Sequence, residues 1–326
     1  MNFSSSNIRM WSRLGSCGAF GLAAMEFPEL QQDTVICTAD LCFYSGLERF
    51  RAKFPECLYN VGIAEQNLVG IAGGLAKEGI NVFATTYASF ATTRALDQVR
   101  VNMGYMRLPI KLVGLTSGLS VGILGATHMS IEDIAIMRSI PNITILSPAD
   151  CTETVKATLA AAKFDGPVYI RLTGSMNNPV VYKEDYSYEI GKAITLKEGT
   201  DVAIVATGTM VYNSQKAIEI MEEQGISCTL IDMHTIKPLD VQTISSVLNH
   251  RLLVTVEEHS VMGGLGSAVA EYIGQLENPP QQMMIGISDS FAHAADYNSL
   301  ICHYKLTPED IARKITEKLK RRTKND

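Results

Sequence analysis

Apolar positions fall into short β-branched runs, separated by stretches in which they recur every three or four residues. This alternation predicts parallel strands wrapped by helices. The first strand signal is TVICTA over 34–39, preceded by a helical stretch over about 12–30. From Val61 the chain becomes helical and small-residue-rich (GIAEQNLVGIAGGLAKEG), with Gly73 and Gly74 inside the pattern. Each glycine there costs about 1 kcal/mol relative to alanine, so the pair reads as permitting close backbone packing. Runs over 82–85, 110–115, 143–146 and 168–172 predict buried strands, and the intervals 88–104, 130–139 and 150–164 predict helices. Between Ser175 and Gly191 both periodicities lapse (SMNNPVVYKEDYSYEIG), which predicts a linker. Beyond it the alternation resumes, with strands over 201–206, 227–232, 251–257 and 283–287 and helices over 211–224, 240–248 and 266–275. The last helix, over 307–321, opens on Thr307-Pro308-Glu309-Asp310: a cap, a first-turn proline and two acids. The fold class expected is α/β, with two doubly wound domains and no repeat of 20–50 residues.

Composition narrows the functional classes. A chain of 326 residues holds two ordinary α/β domains. With 46% hydrophobic, 19% charged and 7% aromatic residues it is neither disordered, collagen-like nor a disulfide scaffold. A net charge of -6 gives no electrostatic reason to bind nucleic acid or an anionic membrane. The one basic run, Lys318 to Lys324, reads as the solvated end of the last helix. The opening MNFSSSNIRMWSRLGS lacks the pattern of a secretory signal and no stretch is apolar enough to span a membrane, so a cytoplasmic protein is expected. Seven scattered cysteines without a C-x-x-C pair read as buried free thiols, not as a disulfide framework or zinc site.

Five local features could carry chemistry. In Gly62-Ile63-Ala64-Glu65-Gln66-Asn67 a carboxylate opens an apolar helix and falls on the stripe of Leu68, Ile71, Ala72 and Leu75. A glutamate buried there needs a partner or a proton, whereas an exposed one merely complements the helix dipole. Tyr87 and Phe90 lie three apart just after a strand, placed either to offer a ring face to a ligand or to pack in the core. The glycine-punctuated loop over 119–130 carries His128, a candidate acid, base or substrate hydrogen-bonder. The segment Gly263-Gly264-Leu265-Gly266 fails the dinucleotide spacing because Val269 stands where a third glycine is needed, so it reads as the packed start of a helix. Glu257-Glu258-His259 has no further ligand at metal spacing, and no metal site is expected in this chain.

Seven segments in order resemble the C-terminal half of transketolases, in the form where two chains replace one long one. They are Thr38-Ala39-Asp40-Leu41, YNVGIAEQN at 59–67, TTYASF at 85–90, GATHMSIEDIAIMRSIPNITILSPAD at 125–150, DGPVYIRL at 165–172, LIDMHTIKPLD at 230–240 and VTVEEHSVMGGLGSAV at 254–269. The resemblance implies a pyrimidine-binding domain over 1–175, a linker over 176–190 and a transketolase C-terminal domain over 191–326. It also implies thiamine diphosphate, with Glu65 hydrogen-bonding the aminopyrimidine nitrogen to favour the imino tautomer that takes the thiazolium proton. On the same resemblance Phe90 stacks on the pyrimidine beside Tyr87, Asp40 and Leu41 lie near the bend of the cofactor, and His128 faces the substrate. Glu65 and His128 are thus the expected catalytic pair.

The Gly-Asp-Gly segment through which transketolases bind Mg²⁺ and the diphosphate has no counterpart here. The resemblance therefore implies an N-terminal partner subunit that binds Mg²⁺ and shares the cofactor, in a heterotetramer built around a dimer of this chain. At the substrate end Arg13 matches one phosphate-binding arginine, Thr116 and Gly174 stand where a histidine and a second arginine are expected, Leu124 replaces an acid and Tyr44 a serine. Losing guanidinium donors points away from an ordinary pentose phosphate and towards a modified or unphosphorylated sugar. The expected reaction is transfer of a two-carbon ketol (glycolaldehyde) unit from a ketose to an aldose, Arg13, Thr116 and His128 contacting the sugar. Two alternatives stand beside it: the beta subunit of a 2-oxo acid dehydrogenase decarboxylase, whose histidine loop differs from GATHMSIEDIAIM, and a non-catalytic partner subunit.

Overall fold

A computed structural model describes residues 1–30 and 33–322. The strands in chain order are β1 Thr34–Thr38, β2 Leu58–Asn60, β3 Asn81–Tyr87, β4 Lys111–Leu115, β5 Thr144–Leu146, β6 Val168–Arg171, β7 Ile194–Lys197, β8 Val202–Ala206, β9 Cys228–Asp232, β10 Thr235–Lys237, β11 Leu252–Ser260 and β12 Gln282–Ile287. They form two sheets, ordered β10-β5-β6-β4-β3-β1-β2 and β12-β11-β8-β9-β7. All pairings are parallel except β10 with β5 and β7 with β9. The two α/β sheets expected from the alternation are present.

Strand β3 is buried along its whole length apart from half-buried Tyr87 at its end. Val82 and Ala84 point to a core with Leu68, Val69 and Ala72 of the helix Glu65–Lys77. Phe83 points the other way, into a core with Phe20, Phe27 and Phe50, where the Phe27 and Phe83 rings stack at 4.4 Å. Both faces of the sheet are covered, and polar alternation is absent for that reason. The first of these cores continues into the second sheet through Ala203, Val205, Ile231 and Leu253. One apolar body therefore joins the two sheets.

Strand β10 adds to this union. It follows β9 by two residues, yet pairs with β5 of the other sheet, Thr235 opposite Leu146. A buried acid pair lies at the same joint. Glu153, on the helix Cys151–Lys163, accepts from Tyr186 Oη at 3.0 Å and from the Ala149 N–H at 2.7 Å. Asp232, ending β9, accepts from Tyr182 Oη at 2.7 Å. The rings of Tyr182 and Tyr186 stack at 3.9 Å. Burial pushes both carboxyls up, Asp232 to about 7, and the two lie close enough to share a proton.

Several elements differ from the sequence expectation. The first helix spans Ser5–Ala24, capped by Ser4 and broken at Gly15 (φ 74°), and a separate turn covers Phe27–Leu30. The interval 88–104 is not one α-helix: wide π-type turns at Phe90–Arg94 and Arg100–Tyr105 flank a single α turn at Leu96–Val99. Such turns are enriched at functional sites. The helices Glu48–Lys53 and Tyr297–His303 and the strands β2, β7 and β10 lie outside the expectation. The basic run beginning at Lys318 lies on the last helix, Pro308–Arg322, and its residues from 323 fall outside the described residues.

Candidate active site at the carboxyl edge of the first sheet

The parallel strands β1, β3 and β4 send their following loops to one edge, where α/β sheets bind ligands. Glu65 stands beside that edge as the first residue of its helix, and only 3% of it is exposed. The buried face runs through Glu65, Leu68, Val69, Ala72, Gly73 and Ala76, with Ile71 and Leu75 half-buried beside it. Because Glu65 is buried it needs a counter-charge. Arg94 supplies it: Nη1 donates to both carboxylate oxygens, each at 2.8 Å. The Arg94 guanidinium also lies 4.0 Å from the centre of the Phe90 ring. The π-type turn puts Phe90 and Arg94 on one side of the backbone, so a single turn presents both the ring and the cation.

Sequence reasoning missed Arg94. The signal available was charge arithmetic: a buried acid requires a cation, and Arg94 is the first basic residue after Lys77.

Tyr87, Phe90 and His128 pack edge-to-face, with ring centres 5.8 Å (Tyr87–Phe90), 5.6 Å (Tyr87–His128) and 5.1 Å (Phe90–His128) apart. All three are half-buried, leaving a polar imidazole at the rim of an aromatic wall. His128 is steadied by Ser89 Oγ, which donates to its carbonyl at 3.3 Å, and by Thr127 Oγ1, 2.9 Å from Nδ1. Burial, with Tyr44 and Cys17 nearby, pushes the Tyr87 phenol up.

Asp40 is exposed and left-handed (φ 59°) at the end of β1. Its N–H donates to Asn60 Oδ1 at 3.0 Å, and Asn60 Nδ2 donates back to Asp40 Oδ1 at 2.9 Å. The same Asn60 oxygen accepts the Gly62 N–H at 3.0 Å, so one amide ties the Asp40 loop to the approach to Glu65. Sequence reasoning missed this positioning role too, because nothing in the spacing of YNVGIAEQN sets Asn60 apart. Leu41 is half-buried, its N–H donating to Thr38 Oγ1 at 3.2 Å.

The structure thus brings Glu65, Tyr87, Phe90 and His128 into one cluster, Arg94 joining Glu65 to Phe90 and the Phe90 ring meeting Tyr87 and His128. Arg13 and Thr116 lie beside this cluster, near the Gly15 kink, with Cys17 between Thr116 and Tyr87. Arg13 is exposed, its carbonyl accepting from the Asn177 N–H at 3.4 Å. Thr116 is left-handed (φ 51°) and its Oγ1 is buried without a hydrogen-bond partner. Burial pushes the adjacent Cys17 thiol up to about 11. Gly174 is left-handed (φ 81°), and a Cβ there would lie 2.8 Å from the Asn178 side chain, so no longer residue fits without rearrangement.

The two remaining sequence features are structural. Glu257 caps the helix Leu265–Ile273, accepting the Leu265 and Gly266 N–H groups at 2.7 and 2.8 Å. A Cβ on Gly264 would overlap that carboxylate, so the glycines serve the start of the helix. His259 Nδ1 donates to the Ser260 carbonyl at 2.7 Å, and burial lowers the ring to about 4. Among the described residues no group of three or more His, Cys, Asp or Glu could hold a metal ion, and no helix is long and apolar enough to cross a membrane.

The two sheets, in this order along the chain, are those of the second half of a thiamine-diphosphate-dependent sugar-transferring fold. Residues 17–178 match the transketolase pyrimidine-binding domain and residues 191–311 the transketolase C-terminal domain, and the chain belongs to the transketolase family. It is 37% identical to one subunit of the apulose-4-phosphate transketolase of Phocaeicola vulgatus, covering 91% of this chain and 95% of that one. It is also 37% identical to a 6-deoxy-6-sulfo-D-fructose transketolase subunit of a Clostridium species, covering 91% and 92%. Among solved structures it is similar to a split-gene transketolase described as an inactive β4 tetramer, with a TM-score of 0.85 and 36% identity over 93% of this chain and 97% of that one. The chain is accordingly a transketolase C-terminal subunit of the split type, in a family that depends on thiamine diphosphate.

Proposed function

We propose that this chain forms the pyrimidine side of a transketolase active site and, with a separate N-terminal subunit, transfers a two-carbon ketol unit from a ketose to an aldose. The observation that carries the reading is the pairing of a buried carboxylate with a half-buried ring, Glu65 with Phe90. The flat, N–H-bearing guanidinium of Arg94 already rests on both, as an aminopyrimidine would. The donor set therefore suits the heterocycle of thiamine diphosphate, which supplies a carbanion equivalent and an electron sink when bound.

Glu65 then moves a proton at the ring nitrogen, with Phe90 and Tyr87 holding that ring in place and keeping water out. His128, at the rim of the same aromatic wall, moves a proton on the sugar oxygen. Asp40 and Leu41 lie at the edge where the cofactor would bend. The diphosphate and Mg²⁺ are assigned to the N-terminal subunit, in a cytoplasmic heterotetramer. The division of the chain at 1–175, 176–190 and 191–326 belongs to the same proposal. At the sugar end, with Thr116 and Gly174 where imidazole and guanidinium donors would bind a phosphate and little space at Gly174 for a longer residue, the site favours a modified or unphosphorylated acceptor over an ordinary pentose phosphate, with Arg13 at its outer end.

Reconstitution with the N-terminal subunit, Mg²⁺ and thiamine diphosphate tests this. The pair should exchange ketol units without a lipoyl carrier, and Glu65→Ala should lower turnover by about 10²–10⁴-fold. Turnover by Glu65→Ala equal to wild type would refute the assignment.

A further inference from the structure

The loop carrying His128 is gripped from the other half of the chain. It leaves β4 and is closed into a ring by the Gly118 N–H, which donates to the Ser130 carbonyl at 2.8 Å. At its first residue, the Leu119 N–H donates to Glu258 Oε1 at 2.6 Å. Glu258 lies on β11 of the second sheet and is 1% exposed. Its other oxygen accepts from Thr209 Oγ1 at 2.5 Å and Tyr297 Oη at 2.6 Å. Gly118 is left-handed (φ 68°), and a Cβ on it would overlap the same carboxylate, so the close approach requires glycine.

Further grips share this origin. Arg171, itself paired with Asp133, reaches the Glu258 carbonyl at 2.9 Å and the Ser130 carbonyl at 3.4 Å, tying the end of the loop to β11. The Ala295 N–H donates to the Gly122 carbonyl at 3.2 Å, and a Cβ on Gly122 would overlap the Ala295 carbonyl oxygen. Ala295 lies two residues before Tyr297, the donor to Glu258. The segment that touches the middle of the loop is therefore pinned to the carboxylate that holds its start.

A buried carboxylate with three donors is far more than strand packing requires, since apolar contact alone would join these surfaces. We propose that Glu258, held by Thr209 and Tyr297, is a positioning residue: through it the second domain sets the loop from Leu119 to Ser130, and so the placement of His128 against the sugar. The proposal rests on the reading of His128 as a substrate-facing group. It assigns the second domain a part in sugar recognition without contact with the sugar.

The test uses the reconstituted two-subunit enzyme. Tyr297→Phe and Thr209→Val each remove one bond to Glu258 and keep the shape, and Thr209→Ser restores the hydroxyl. Expected are a fall of about tenfold in kcat/KM for the sugar in the first two, carried mainly by KM, and near wild-type behaviour in Thr209→Ser. Thiamine diphosphate affinity, followed by near-ultraviolet circular dichroism, should stay within about twofold of wild type, because Glu258, Thr209 and Tyr297 make no hydrogen bond to Glu65 or Phe90. Adding Tyr297→Phe to His128→Ala should cost little beyond His128→Ala alone. Fully additive losses in that double variant, or a parallel loss of cofactor affinity, would overturn the proposal while leaving the functional reading intact. A His128→Ala variant with unchanged sugar kinetics would overturn both.

Discussion

A carboxylate that is 3% exposed, set against an arginine side chain that is 46% exposed, makes the Glu65–Arg94 contact lopsided: the acid is committed to its place and the cation is free to leave. Removing the cation should cost more than an exposed ion pair would suggest, because it strands a buried charge. Arg94→Ala is expected to lose about 1–3 kcal/mol in urea unfolding, and Arg94→Lys to recover part of that without the two-oxygen contact. Equal stability of wild type and Arg94→Ala would mean that the pair contributes nothing. At this scale the sequence is informative where chemistry clashes with pattern. An acid on an apolar stripe marks Glu65, and a histidine among glycines marks His128. Arg94 and Asn60 stay hidden because their contacts arise from a π-type turn and a left-handed residue, neither of which leaves a periodic trace.

Interior strands are legible even at three or four residues, as β5 and β6 show, whereas the edge strands β2, β7 and β10 and the short helices Glu48–Lys53 and Tyr297–His303 are not. The glycine pair of the helix Glu65–Lys77 shows how far the pattern goes. Periodicity assigns both to close packing, but the two sites differ. A Cβ on Gly73 would overlap the Asn102 side chain, whereas one on Gly74 would meet nothing within 4 Å. Gly74→Ala should therefore gain about 0.5–1 kcal/mol from helix propensity alone. Gly73→Ala should lose about 1–2 kcal/mol because overpacking outweighs the same gain. Thermal melts of the two variants decide this, and shifts of the same sign in both would contradict it. Helix geometry turns the two about 100° apart, Gly73 onto the buried face and Gly74 off it, but it reports only the face and not what stands opposite.

Across the molecule, the acid pair at the joint predicts a pH dependence. Asp232 has a folded-state value raised from 3.8 to about 7. A raised acid binds more protons folded than unfolded, so its stabilising effect is complete below the unfolded value and is lost as pH climbs through the folded one. Asp232→Asn should therefore gain on wild type, by about 2–4 kcal/mol in all, as pH rises from about 4 to about 7. Buried His234, lowered to about 4, works in the opposite sense: its contribution is lost as pH falls from 6.5 towards 4. The two effects overlap in wild type, and the difference between variant and wild type removes the His234 contribution and reports the acid pair. Denaturation midpoints at several pH values check it, and a difference constant across the range would rule out a shared proton.

The antiparallel strand Thr235–Lys237 makes one apparent boundary deceptive. Severing the backbone in the tyrosine-rich connector would not liberate two autonomous pieces, because the upstream fragment would bare the rim of β5 and the downstream one would carry an orphan ribbon seeking a mate. Co-expressed fragments should consequently reassociate, and the upstream fragment made by itself should precipitate.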